Sequence, residues 1–282
     1  MRRSVILGGA QFGINYGKHV PVPELQTSEV DEILETGLIM GSREIDLALN
    51  YESADHRLSS SKFSKNYDFS TKIFYSEEND QQIRRSVKKS MNLLGIGSFK
   101  TILVHNWAEL NSDARQRATN LLIELQQQSL CLKIGISVYE PEELNFSNWI
   151  PDIVQAPLNF YNKSFLADSY ARQMQANGTI FTARSIFHQG VLLNINSKLL
   201  NRYPELLEFQ NYCERLQLSV IAGSLSVYDN QDLFSNLVVG VASKSQLIDI
   251  CQQDLVELST EKLSPNYNYR SEFTDPRKWA TD

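Results

Sequence analysis

Short apolar runs alternate with amphipathic stretches from one end of this chain to the other. SVILGGA reads as a first strand, REIDLAL as a second, FSTKIF as a third and KTILVH as a fourth. LKIGISV, DIVQAPL, TIFTARS and NLVVGVAS continue the series to an eighth. Between them, TSEVDEILETGLIMG sets Val30, Ile33, Leu34 and Leu38 at helical spacing behind a Thr/Ser cap with acids in the first turn. DQQIRRSVKKSMNLLG puts Ile83, Val87, Met91 and Leu94 on one face, with Gly95 just past its end. SDARQRATNLLIELQQQ, PEELNFSN, LADSYARQMQANG and SKSQLIDICQQ supply further helices. The stretch Ala54 to Tyr67 is polar, which predicts a short or shifted second helix. A longer excursion, PELLEFQNYCERLQ then SVIAGSLSVYDN, precedes the eighth strand.

About eight strands alternating with helices point to a parallel sheet. At 282 residues they predict an α/β fold of the (β/α)8 TIM-barrel type, one domain over 1–282 with a short tail from about residue 260. A doubly wound sheet is the alternative, but LGGAQFG after the first strand matches the GxGxxG fingerprint poorly.

Composition adds exclusions. A chain that is 42% hydrophobic and 21% charged is globular rather than disordered. A net charge of -6 argues against nucleic acid held in a basic groove. Cys131, Cys213 and Cys251 are scattered with no CxxC pair, which suits a reducing compartment and supports no metal site. The start MRRSVILGGAQFG is too short and glycine-rich for a signal-peptide core. No stretch approaches the ~20 apolar residues of a membrane span, so the expectation is a soluble, cytoplasmic protein.

Charge at the end of a barrel strand needs a reason, because that end is where this fold builds its active sites. Asp46 and Tyr51 lie on the second strand and just beyond it, Lys72 at the end of the third and His105 at the end of the fourth. Singly, each reads as readily as a packing or solvated residue. At three successive strand ends they form a set: a phenol as proton donor, an ammonium and a carboxylate to tune it, and an imidazole to orient a substrate oxygen. That chemistry suits carbonyl reduction.

At these residues the sequence resembles the aldo-keto reductases, NAD(P)-dependent (β/α)8 barrels with an Asp, Tyr, Lys and His tetrad. The family's Asp-Thr-Ala-x-x-Tyr pattern stands here as Asp46-Leu47-Ala48-Leu49-Asn50-Tyr51. The resemblance implies that Tyr51 is the general acid, that Lys72 and Asp46 lower its pKa, and that His105 orients the carbonyl. It implies further that Ser137, Gln155 and Asn159 contact the nicotinamide carboxamide and that Arg184 takes the position of the aromatic residue stacked on the nicotinamide. Ser185, Gln189 and Gly190 then approach the pyrophosphate. Gly240, Ser243, Lys244 and Gln246 open onto the adenosine phosphate, and SKS at a helix start is an anion site on physical grounds as well. The departures are Leu47 for Thr, Glu52-Ser53-Ala54-Asp55 for Gly-x-Ser-Glu, Val138 for Asn, and Arg184 itself.

The implied activity is reduction of an aldehyde or ketone by NADP(H) or NAD(H), with NADP ahead on family habit. LGGAQFGINYG and QGVLL resemble members associated with polysaccharide biosynthesis, which suggests a sugar or nucleotide-linked keto sugar as the small-molecule partner. The alternative is a nucleotide-binding barrel of weakened activity acting as a sensor or partner subunit. In the tail, Tyr267, Tyr269, Phe273 and Trp279 either cover the pocket mouth or pack on the barrel wall.

Overall fold

The structure is a computed structural model that describes residues 3–15, 17, 24–51, 53–76, 79–144, 149–258 and 271–279. Within them the strands β1 (Val5–Gly8), β2 (Glu44–Asp46), β3 (Asp68–Ile73), β4 (Phe99–Val104), β5 (Cys131–Ser137), β6 (Ile153–Pro157), β7 (Ile180–Arg184) and β8 (Phe234–Gly240) pair in chain order. The sheet closes where β1 meets β8 in parallel, from Val5 opposite Leu237 to Gly8 opposite Gly240. This is the (β/α)8 barrel that the alternation of strands and helices predicts.

The helices are α1 (Thr27–Met40), α2 (Ala54–Ser60), α3 (Asp80–Leu94), α4 (Ser112–Gln127), α5 (Ser169–Ala176), α6 (Ser197–Arg202), α7 (Leu206–Leu216), α8 (Val220–Asp229), α9 (Lys244–Gln252) and α10 (Ser271–Thr274). Their apolar faces and the outward side chains of the strands make one continuous core. Val30, Ile33 and Leu34 of α1, Val87 of α3 and Leu121 and Leu122 of α4 join Ile45, Ile73, Ile102, Ile136 and Val154 from the sheet. Because side chains alternate along a strand, residues that point outward to this core leave their neighbours pointing into the barrel. Asp46, between buried Ile45 and Leu47, and Lys72, between Thr71 and Ile73, are such neighbours.

Several elements differ from the sequence reading. β2 ends at Asp46 rather than running through Leu49. The chain still tracks β3, with Leu47 N donating to Ser70 O (2.8 Å) and Leu49 N to Lys72 O (3.0 Å), before it turns through the Tyr51 N to Ala48 O bond (2.9 Å). At the start of α1, the Glu29 carboxylate accepts from Gln26 N at 2.8 Å, so the cap comes from the first turn and not from Thr27 or Ser28.

PEELNFSN shows a single 3-10 turn, Pro141–Leu144, within the described residues. The helix expected over LADSYARQMQANG starts only at Ser169, capped by Asp168, whose carboxylate accepts from Ala171 N at 2.7 Å. SVIAGSLSVYDN, left without a type by its pattern, is the buried helix α8, capped by Ser219. The second helix is short, at 7 residues. Among the described residues no helix is long and apolar enough to cross a membrane.

The core carries a quantitative expectation. Leu122 is fully buried and Leu207 is 53% exposed. Leu122→Ala is predicted to destabilise by about 2–5 kcal/mol, the range for a cavity left in a packed core. Leu207→Ala should stay within about 0.5 kcal/mol, as exposed substitutions do. Denaturant unfolding of the two variants checks both.

Candidate active site

One cavity opens at the carboxyl ends of the strands, and Asp46, Tyr51, Lys72 and His105 all line it. The inferred tetrad is therefore assembled in space from three consecutive strands, as its spacing required. The Asp46 carboxylate is taken on both oxygens: Lys72 Nζ donates to Oδ2 at 2.5 Å and Gln155 Nε2 to Oδ1 at 3.2 Å. Lys72 also donates to the carbonyl of Leu47 at 3.1 Å. Asp46 and Lys72 are buried, at 5% and 3% exposure. Tyr51 and His105 sit partly exposed above them, with Lys72 Nζ 5.9 Å from the Tyr51 ring centre.

Tyr51 owes its place to the turn after β2 and to the loop after β1. A Cβ on Gly13 would collide with the Tyr51 carbonyl oxygen and with Ala54 N, so only glycine lets that loop lie against the turn. Arg57 of α2 clamps the same contact, donating to Phe12 O at 2.9 Å and bonding Glu24 and Ser53. Glu52, one of the departures noted in the sequence, lies outside the described residues.

The electrostatics depart from what the resemblance implies. Burial pushes the Tyr51 phenol up, and the Asp46 charge pushes it further. Asp46 therefore does not lower the Tyr51 pKa, and the cation that pulls it down is Arg184. The physical reason is that Lys72 spends its charge on Asp46. Lys72 itself is pushed down by burial and held up by Asp46. His105 is lowered to about 3, first by burial and then by the charges of Lys72 and Arg184. The site at neutral pH thus presents a protonated phenol and a neutral imidazole, both able to donate a hydrogen bond to a carbonyl oxygen.

Next to this set lie buried oxygens with no hydrogen-bond partner: Ser137 Oγ, Gln155 Oε1 and Gln11 Oε1. Ser137 and Gln155 are register neighbours on β5 and β6. A hydroxyl and an amide oxygen left open side by side are complementary to a primary carboxamide, which offers one acceptor and an NH2 group. Gln155 lines the cavity while Ser137, its register neighbour, stands just outside the lining, so the fit to the nicotinamide end of the cofactor rests on Gln155 with Ser137 behind it.

The remaining inferred cofactor residues divide. Arg184, Ser185, Gln189, Gly190, Gly240 and Gln246 line the cavity. Ser185, His188 and Gln189 have left-handed backbones, with φ of 62°, 51° and 52°, and Gly190 follows at 84°. Three such non-glycine residues in five positions are unusual and tend to occur at functional loops.

Asn159, expected at the carboxamide, does not line the cavity: its Oδ1 accepts from Tyr161 N and Asn162 N, and its Nδ2 donates to Ser185 O at 3.3 Å. It is consumed in holding the loop that carries Ser185. Ser243 and Lys244 stand outside the lining, Ser243 as the cap of α9 and Lys244 paired with Glu32 at 3.0 Å. Gln246 accepts from Ala242 N at 2.8 Å through its side-chain oxygen.

Among the lining residues that escaped the sequence reading are Tyr139 and Gln11. Tyr139 lies two positions beyond Ser137 in IGISVY, and its ring centre is 4.1 Å from the Arg184 guanidinium and 3.7 Å from that of Arg277. Gln11, in LGGAQFG, rests against Gly240, where an added Cβ would come within 2.8 Å of its amide. Neither carries a local signal beyond standing just past a strand. In the tail, Phe273 and Trp279 are buried and pack edge-on against His188, with ring centres at 5.0 and 4.9 Å. Tyr267 and Tyr269 lie outside the described residues.

A second hollow opens at the opposite end of the barrel, but its cations are engaged: Arg3 with Asp229, Arg43 with backbone carbonyls and Lys100 with Glu44.

The comparisons with known proteins concern the family and the fold. The Aldo/keto reductase family profile matches residues 4–263, so the chain belongs to the aldo-keto reductase family and is an NAD(P)-dependent oxidoreductase of carbonyl compounds. The fold is similar to the holo form of an aldo-keto reductase from Bacillus halodurans, at 14% identity over 98% of this chain and 95% of that one, with a TM-score of 0.71. It is similar also to aldose reductases from Giardia lamblia (16% identity, 93% and 90% covered, TM-score 0.62) and Schistosoma japonicum (14%, 92% and 86%, 0.63). At these identities the structural likeness concerns the fold. No curated protein matches the chain.

Two expectations follow from the charges. Lys72→Met leaves the Asp46 carboxylate buried without a cation and should destabilise by about 3–5 kcal/mol. Much of that loss should be recovered in the Asp46→Asn, Lys72→Met double variant, as read by denaturant unfolding. For His105, the unfolded chain takes up a proton near its ordinary pKa of about 6.5, while the folded chain does so only near about 3. Stability from this group is therefore full above that upper value and is lost as pH falls across the window. Imidazole NMR signals of His105 should show no titration between about pH 8 and pH 5.

Proposed function

We propose that this chain reduces an aldehyde or ketone with NAD(P)H, drawing the proton from Tyr51, and that its substrate is a sugar or a nucleotide-linked keto sugar. The observation that carries the reading is the Asp46–Lys72–Gln155 network directly below a protonated Tyr51 and a neutral His105. When bound, the cofactor supplies the hydride that reaches the carbonyl carbon. Tyr51 and His105 converge on the carbonyl oxygen. His105 donates a hydrogen bond that polarises it, and Tyr51 Oη gives up its proton as negative charge develops there. The Arg184 charge favours the phenolate so formed, and Lys72, paired with Asp46, holds the Leu47 carbonyl at the exit of β2 and so the turn that carries Tyr51.

Ser137 and Gln155 would take the carboxamide, Arg184 the face of the nicotinamide, and Ser185, Gln189 and Gly190 the pyrophosphate. Gly240, Ser243, Lys244 and Gln246 would form the adenosine end. Lys244, exposed at the rim, is the basic residue at hand for a 2′-phosphate, in keeping with NADP(H) ahead of NAD(H). The polar lining by Gln11, Tyr139 and Asn194 supports a hydroxyl-rich substrate. We take the chain to act as one barrel domain, and its free cysteines suit the cytoplasm. Convergence of all four tetrad residues supports turnover over a sensor role, since a barrel relieved of catalysis has no need to keep them together.

Tyr51→Phe should lower the rate of carbonyl reduction by about 10²–10⁴-fold while cofactor affinity stays nearly unchanged. Nicotinamide fluorescence gives the affinity, and NAD(P)H consumption with aldehydes, keto sugars and nucleotide-keto sugars gives the rate. Wild-type activity in that variant would show that the proton comes from elsewhere.

A further inference from the structure

Among the described residues, Arg184 is a charge of the cavity wall that no carboxylate pairs with. Asp46 is committed to Lys72, whereas Arg184 bonds neutral acceptors, the Val138 carbonyl at 2.9 Å and the Ser185 hydroxyl at 3.3 Å. The guanidinium reaches from the end of β7 to the residue after β5, crossing the end of β6 beside the open oxygens of Ser137 and Gln155. Its plane is backed by the Tyr139 ring. Arg277 approaches the same ring at 3.7 Å. Tyr139 thus has two guanidiniums against its ring, those of Arg184 and Arg277. Arg277 is in turn fixed by Asp275 at 2.8 Å.

We propose that Arg184 makes this site discriminate the redox state of its nicotinamide cofactor, holding the reduced form and repelling the oxidised one. The inference rests on the proposed function, which seats the nicotinamide on Arg184. The reduced ring is uncharged and the oxidised ring carries a full positive charge. An aromatic side chain in this position would present a negative ring face and attract the oxidised form. A guanidinium does the reverse. Lys72 adds little of the same sign, because Asp46 neutralises it. The reach of the Arg184 field is visible in its downward pull on Tyr51, Lys72 and His105 alike.

Two like charges at stacking distance in a partly wet cleft change relative affinity by about tenfold or more. For a two-electron couple, a tenfold ratio displaces the potential of the bound cofactor by about 30 mV in the positive direction. After carbonyl reduction the cofactor left behind is the weakly held form, which favours its departure and replacement.

The test is a set of dissociation constants. NADPH, NADP+, NADH and NAD+ are titrated by calorimetry into the wild-type protein and the Arg184→Lys, Arg184→Met and Arg184→Gln variants, each checked for folding by thermal melt. The wild type should bind the reduced member of each pair more tightly, by about tenfold or more. Arg184→Lys should keep most of that preference, since it keeps the charge. Arg184→Met and Arg184→Gln should lose about tenfold of it, mainly through tighter oxidised cofactor. Equal affinity for both forms in the wild type, or the same ratio in whichever neutral variant folds, overturns the proposal. Failure of the wild type to bind any of the four overturns the proposed function instead.

Discussion

An ammonium and a carboxylate share the inside of this barrel almost without water, and the site is arranged around that pair. Removing Asp46 and Lys72 from solvent is unfavourable, and well-packed apolar residues of similar volume would commonly serve stability as well or better. The pair nevertheless ties together the parts that matter. Asp46 comes from β2, Lys72 from β3 and Gln155 from β6, and Lys72 also holds the Leu47 carbonyl just where the chain leaves β2. That exit leads into the turn that carries Tyr51. The position of the phenol, and the sign of the field it feels, both depend on the buried pair.

The opposite wall is built by other means. After β7 the chain enters left-handed backbone at Ser185, His188 and Gln189, conformations that cost of order 1–3 kcal/mol each and persist only where surrounding contacts impose them. Asn159 holds the Ser185 carbonyl, and the His188 ring is enclosed by Tyr161, Phe273 and Trp279. The segment carrying Phe273 and Trp279 also brings Arg277 to Tyr139, and thereby backs Arg184. A stretch far along the chain from the tetrad therefore backs the charge that pulls on Tyr51, Lys72 and His105.

The strands, most of the helices and the four tetrad positions were legible in the sequence because their signals are local. Period-two and helical spacing report which faces are buried, and an ionisable residue at a strand end stands out against apolar neighbours. The Asp-to-Tyr interval and the residues at the next two strand ends specify convergence once consecutive strands are neighbours in a closed barrel. Partner choice is not local. That Lys72 pairs with Asp46, that Asn159 is used up on a turn, and that Tyr139 contacts two arginines, from β7 and the tail, are decided by distances between elements remote in the chain. Sequence alone determined the barrel and which ionisable residues stand together at its mouth. Only the tertiary structure decided where each charge is spent, because Coulomb interactions and burial depend on separations in space that no residue spacing encodes.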